Sequence, residues 1–130
     1  MVLVERVTGI GGLFVRAQDP ESLSLWYTEH LGIDPPPTSY DTSSWWQQPG
    51  PTVLAMAAES ELFGGAERSW SINFRVSDLE AMVSQLRSEG VAVEIDPDSY
   101  PNGRFASLQD PEEENVQLWQ PAGADARGPH

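Results

Sequence analysis

The chain states one pattern twice. Residues 11–32 read GGLFVRAQDPESLSLWYTEHLG and residues 71–90 read SINFRVSDLEAMVSQLRSEG. Each opens on a short strand-like run, passes through Asp-x-Glu, becomes an amphipathic helix and stops at glycine. Asp19 matches Asp78 and Glu21 matches Glu80, an offset of 59 residues in a chain of 130. A unit that fills about half the chain and occurs twice describes two supersecondary modules packed together; a solenoid needs three or more repeats. A pair of modules builds its site between them.

The first module spans about residues 8–58 and the second 70–121, with 59–69 as linker and 122–130 as a frayed tail. In module one a strand is predicted over Gly12–Ala17. Asp19 is the helix cap and Pro20 the first helical residue, where a fixed φ is an advantage. Leu23, Trp26, Tyr27 and Leu31 share one helical face, and Gly32 ends the helix. Pro35, Pro36 and Pro37 form an extended connector. Strands follow over Tyr40–Gln48 and Thr52–Ala58, separated by the Pro49-Gly50-Pro51 turn. Module two has a strand over Trp70–Val76, a Ser77/Glu80 capping box, and the stripe Leu79, Met82, Val83, Leu86. Strands over Val91–Ile95, Arg104–Gln109 and Asn115–Gln120 complete it, with an Asn102-Gly103 turn signal. Strands and helices segregated in this way give an α+β fold, helices on one side of antiparallel sheet.

Alternation assigns the faces. Leu13, Val15, Ala17, Ile72, Phe74, Val76, Val116 and Leu118 point towards the helices. Gly12, Phe14, Arg16, Ser71, Asn73, Arg75, Gln117 and Trp119 point the other way. That polar and aromatic set has the mix of a small-molecule pocket, although a sheet face that merely meets water has similar chemistry.

Composition removes several function classes. Twenty acids stand against seven bases, all arginine, for a net charge of −13. Such a surface repels phosphate backbones and anionic lipids, so neither nucleic acid nor membrane is an expected partner. There is no cysteine, hence no disulfide, zinc–thiolate site or thiol nucleophile, and a cytoplasmic location fits. No secretory signal or membrane span is visible. Gly9-Ile10-Gly11 begins like a dinucleotide fingerprint, but Phe14 stands at the third glycine and the segment precedes a strand. There is no nucleophile elbow or phosphate loop.

A strand, Asp19-Pro20-Glu21 and a helix ending in Leu31-Gly32, then Phe74-Arg75-Val76 with Asp78-Leu79-Glu80, then Arg104-Phe105-Ala106 and Asp110-Pro111-Glu112 followed by Gln117-Leu118-Trp119-Gln120-Pro121, resemble the glyoxalase/bleomycin-resistance/dioxygenase (vicinal oxygen chelate) superfamily over about residues 8–121. The resemblance implies two pseudo-repeated β-α-β-β-β modules whose sheet curves around a cavity, with the polar faces lining it. It also implies metal-ligand positions at Gly12, Ser71 and Gln117, and less securely one near Leu54. Gly12 has no side chain, Ser71 is a poor neutral ligand, and Gln117 replaces a carboxylate by an amide. A catalytic divalent ion needs about three His, carboxylate or thiolate donors, so no metal and no cofactor are expected. Of the two histidines, His30 suits the dipole at a helix C-terminus and His130 is the last residue. The family turn Asp-Pro-Glu-Gly-Asn reads here Asp110-Pro111-Glu112-Glu113-Glu114, without its glycine.

The expected function is reversible, metal-free binding of a small organic molecule, including sequestration of an antibiotic or metabolite, by Phe14, Arg16, Ser71, Asn73, Arg75, Gln117 and Trp119. The alternative is a lyase, isomerase or dioxygenase of the same superfamily, working through unrecognised ligands or by acid/base chemistry; a third is a subunit that contributes only a dimer surface. Net charge favours a cationic ligand, whereas Arg16 and Arg75, at repeat-equivalent positions, favour a carboxylate; seated contacts weigh more than long-range charge. A homodimer is expected from the resemblance and from five tryptophans in so short a chain, with Trp45 or Trp46 as anchor and the other of the two in the core. Tyr100 and Arg104 are expected to serve hairpin packing.

Overall fold

A computed structural model describes residues 5–58, 63–64 and 68–129. Helix α1 is Pro20–Leu31, strand β1 Ile72–Arg75, helix α2 Leu79–Ser88, strand β2 Glu94–Ile95, strand β3 Gly103–Gln109 and strand β4 Asn115–Pro121. Strand order is β1-β4-β3-β2. β3 and β4 pair antiparallel over seven residues, from Gly103 opposite Pro121 to Gln109 opposite Asn115. β2 pairs antiparallel with β3, but β1 runs parallel to β4, Ile72 opposite Val116 and Arg75 opposite Trp119. The sheet is therefore mixed, where an antiparallel one was expected. The α2 crossover from β1, followed by two antiparallel returns, brings β4 alongside β1 in the same direction.

The helices form where their caps dictate. The Asp19 carboxylate accepts from the Ser22 N–H at 3.2 Å, Pro20 opens α1, and Gly32 closes it in the left-handed region at φ 72°. In α2 the cap is Asp78, which accepts from the Ala81 N–H at 3.1 Å. The Ser77/Glu80 capping box is not used; Glu80 instead pairs with Arg104 at 2.9 Å. An aspartate one residue nearer the helix satisfies the same free N–H groups and leaves Glu80 to reach β3.

The core lies between α2 and the sheet. Leu79, Val83 and Leu86 pack on Val93, Ala106, Leu108, Val116 and Leu118, all buried. α1 joins it through Trp26, Tyr27 and Leu31. The two helices also touch at repeat-equivalent residues: His30 Nδ1 lies 3.0 Å from Glu89 Oε2, and the positions differ by the 59-residue offset. His30 thus sits in the last turn of α1, its ring against Trp26.

Module two forms strand, helix and three strands, as its sequence predicts. Module one does not. Residues 12–17 and 43–58 contain no strand, and 40–42 lie in a turn. Their apolar side chains stay in solvent: Phe14 is 95 % exposed and Trp46 85 %, and Trp45, the more sheltered of the pair, is still 39 % exposed. Neither tryptophan is in the core, because the segment forms no strand and packs neither of them under α2. Strand propensity expresses packing against neighbours, and among the described residues no strand pairs with these segments. Residues 59–62 and 65–67, most of the expected linker, lie outside the described residues.

Candidate functional site

On the sheet face turned away from the helices, alternation places Asn73 and Arg75 of β1, Gln117 and Trp119 of β4, and Phe105 and Ser107 of β3. Register sets them side by side: Asn73 opposite Gln117, Arg75 opposite Trp119, Phe105 opposite Trp119 and Ser107 opposite Gln117. Asn73 Nδ2 donates to Gln117 Oε1 at 2.7 Å. The Phe105 and Trp119 rings stack with centroids 6.3 Å apart and planes 3° from parallel. The Trp119 indole N–H donates to the Asn102 carbonyl at 2.8 Å, which fixes the ring. Gly103 makes that possible. Its φ is 136°, and a Cβ there would lie 2.1 Å from the Gln120 carbonyl oxygen and 2.8 Å from the indole nitrogen. Tyr100 extends the aromatic row, its ring 5.8 Å from that of Phe105.

An open groove of about 500 Å³ runs along β2, β3 and β4, lined by Glu94, Asp96, Phe105, Ser107 and Gln117 on this face. Arg87 of α2 also lines it, and its guanidinium donates to the Val93 carbonyl at 2.8 Å. Asp96 accepts from the Tyr100 hydroxyl at 2.8 Å and from the Asp98 N–H at 3.0 Å. That hydrogen bond to a carboxylate raises the Tyr100 pKa.

Asn73, Arg75, Gln117 and Trp119 are thus brought together from the expected set. Ser71 is half-buried just before β1. Phe14 and Arg16 are exposed and do not line the groove. Arg75 donates to the Gln48 carbonyl at 3.1 Å. Residue 50 approaches Arg75 so closely that any side chain there would overlap the guanidinium, a Cβ falling 1.6 Å from Nη1. Arg75 thereby holds the 48–50 segment against β1. Tyr100 and Arg104 do serve the hairpin: Tyr100 bridges to Gly103, and Arg104 turns to the helix side. Glu94, Asp96, Phe105 and Ser107 were not named from the sequence, although the alternation of residues 103–109 that buries Ala106 and Leu108 would have assigned Phe105 and Ser107 to this face.

The Asp110–Glu114 turn ties the modules together. Buried Asp110 accepts from the N–H groups of Glu112 at 2.8 Å and Glu114 at 3.1 Å, and from the Tyr27 hydroxyl at 2.7 Å. Burial, reinforced by that bond, pushes the Tyr27 pKa far up. The Glu112 carboxylate accepts from the Gln18 and Asp19 N–H groups at 2.8 and 3.1 Å, and Arg68 pairs with Glu114. Glu113 takes the left-handed conformation, φ 65°, so the turn keeps its form without the glycine.

The implied metal positions do not fit an ion. Gly12 has no donor atom, Ser71 and Gln117 are neutral, and the Gln117 oxygen is engaged by Asn73. Among the described residues no group of three or more His, Cys, Asp or Glu is placed to hold one.

The model of the Glyoxalase/Bleomycin resistance protein/Dioxygenase superfamily matches residues 9–118. The chain belongs to that superfamily. No curated protein gives a significant match. Among solved structures, TnmS3, an antibiotic-binding protein from Streptomyces sp. CB03234, is 23 % identical over 91 % of this chain and 99 % of its own, with a TM-score of 0.59; it shares the fold. A glyoxalase/bleomycin resistance protein from the same Streptomyces is 34 % identical, but over only 38 % of this chain and 43 % of its own, with a TM-score of 0.35. Among the described residues no helix is long and apolar enough to cross a membrane.

Proposed function

We propose that this chain binds a small organic molecule reversibly, without a metal, on the face built by Asn73, Arg75, Phe105, Ser107, Gln117 and Trp119. The observation that carries this reading is the face itself. Fixed aromatic rings stand beside paired amides and a hydroxyl, and three members of the face, Phe105, Ser107 and Gln117, line a groove of about 500 Å³ that suits a small-molecule ligand. The neutral set at Gly12, Ser71 and Gln117 favours binding over metal-dependent catalysis. The antibiotic-binding role of TnmS3 makes sequestration of an antibiotic or metabolite the natural use of such a face.

The working form is a homodimer. Among the described residues, twelve of the thirteen large exposed hydrophobics precede residue 57, and such a concentration of exposed apolar side chains marks an interaction surface. A second copy would cover them, with Trp45 or Trp46 as anchor, and would bring Phe14, Arg16 and Ser71 to the binding face. Sedimentation at tens of micromolar and moderate salt should find dimers; monomers alone would refute this part of the reading. For the binding itself, a thermal-shift screen of small aromatic metabolites and antibiotics should raise the melting temperature by mass action. Elemental analysis returning about one Zn, Ni, Fe or Mn per chain would instead move the enzymatic alternative to first place.

A further inference from the structure

The groove has a charge of its own. Its two carboxylates, Glu94 and Asp96, are in no ion pair among the described residues, where the pairs are His30–Glu89, Arg68–Glu114 and Arg104–Glu80. Asp96 is held in place by Tyr100 and by the Asp98 N–H, and a carboxylate that accepts two hydrogen bonds keeps lone pairs for a third partner. The one cation in the lining, Arg87, is tethered to a backbone carbonyl. Arg75, the cation that would select a carboxylate ligand, is engaged with Gln48. Beside the two acids, Phe105 is half-buried, fixed between Tyr100 and Trp119. Ser107 and Gln117 add neutral hydrogen-bonding groups on the same floor.

Resting on the binding role above, we infer that the ligand is a planar aromatic cation: its ring system lies against Phe105 and its positive group meets Glu94 and Asp96. The aromatic face and the acids act together. A ring quadrupole attracts a cation, and two unpaired carboxylates add Coulomb attraction that a half-exposed groove screens only in part. The net charge of −13 assists the encounter and disfavours anions throughout. The acids thus reverse the preference for a carboxylate that Arg16 and Arg75 suggest from sequence.

The test uses three probes of one ring size near pH 7.5: 9-aminoacridine (cation), acridine (neutral) and acridine-9-carboxylate (anion), titrated calorimetrically into the intact protein. The cation should bind about tenfold tighter than the neutral ring, as expected for two partly exposed charge pairs, and the anion weakest. The Glu94→Gln/Asp96→Asn double variant should keep the neutral ring's affinity and lose the cation's advantage. A control variant, Glu29→Gln/Asp34→Asn, removes the same charge elsewhere and should keep it. Equal binding of all three probes, a preference for the anion, or loss of the cation's advantage in the control variant would overturn the inference while leaving small-molecule binding intact. Failure of all three to bind would overturn both.

Discussion

Modules one and two carry the same pattern of strand, capped helix and glycine stop, yet only module two completes it. Their helices form alike, each from an aspartate cap. The difference lies in the strands. Residues 72–75 find β4 beside them; residues 13–16, their repeat equivalents, pair with no strand among the described residues. A helix satisfies its own backbone, whereas a strand needs a neighbour. Repetition in sequence therefore guarantees the local elements and leaves sheet formation to whatever partner is present.

The largest expected effect separates the modules by their cores. Leu86→Ala, at a position with 0 % exposure, should cost about 2–5 kcal/mol of stability in chemical denaturation. Leu13→Ala, at 54 % exposure, should cost less than about 1 kcal/mol in dilute monomer. The proposed dimer sharpens the contrast, because the Leu13→Ala penalty should then grow with protein concentration.

The next effect concerns the tie between the modules. Tyr27→Phe removes a hydrogen bond to a carboxylate and should cost about 1.5–3 kcal/mol. It also carries a pH signature. The folded chain holds the Tyr27 proton at a pH where the unfolded chain has lost it. This contribution is fully present below the ordinary phenol value of about 10 and is lost as pH rises towards the higher folded value. Stability of the parent protein should therefore fall above that pH, and Tyr27→Phe should fall less steeply in parallel denaturation curves.

Glu113→Gly should act in the other direction. Glycine takes the left-handed conformation without a Cβ penalty, so the variant should gain up to about 1 kcal/mol, read from the shift in denaturation midpoint. A loss would mean that the Glu113 side chain matters more than its backbone. The smallest effect is that of Arg75→Ala. It should leave global stability within about 0.5 kcal/mol and speed amide exchange at Gln48 and Gly50, on the segment the guanidinium holds. Unchanged exchange there would show that module one does not depend on this contact.

Much of module two was legible in the sequence. Asp78, the Leu79, Val83, Leu86 stripe and the alternation around Val116 and Leu118 are local signals, and each element has its partners within the same module. The parallel pairing of β1 with β4 was not legible, because alternation fixes faces and says nothing of strand direction. For Trp45 and Trp46, propensity described strands that find no pairing partner among the described residues. Of the candidate site, Asn73, Gln117 and Trp119 could be read because parity alone puts them on one face. Glu94 and Asp96 could not, since their place depends on β2 pairing with β3 across the 96–102 connection. The role of Arg75 was also hidden, because Gln48 is remote in sequence and belongs to a segment without regular structure.

The most direct test of metal-free binding on the face of module two is a heteronuclear NMR titration of the chelator-treated protein with 9-aminoacridine. Shifts should concentrate at Asn73, Phe105, Ser107, Gln117 and the Trp119 indole N–H, and added divalent metal should leave them unchanged. Shifts that appear only after metal is added, or that avoid these residues, would show that the ligand is held by other means or in another place.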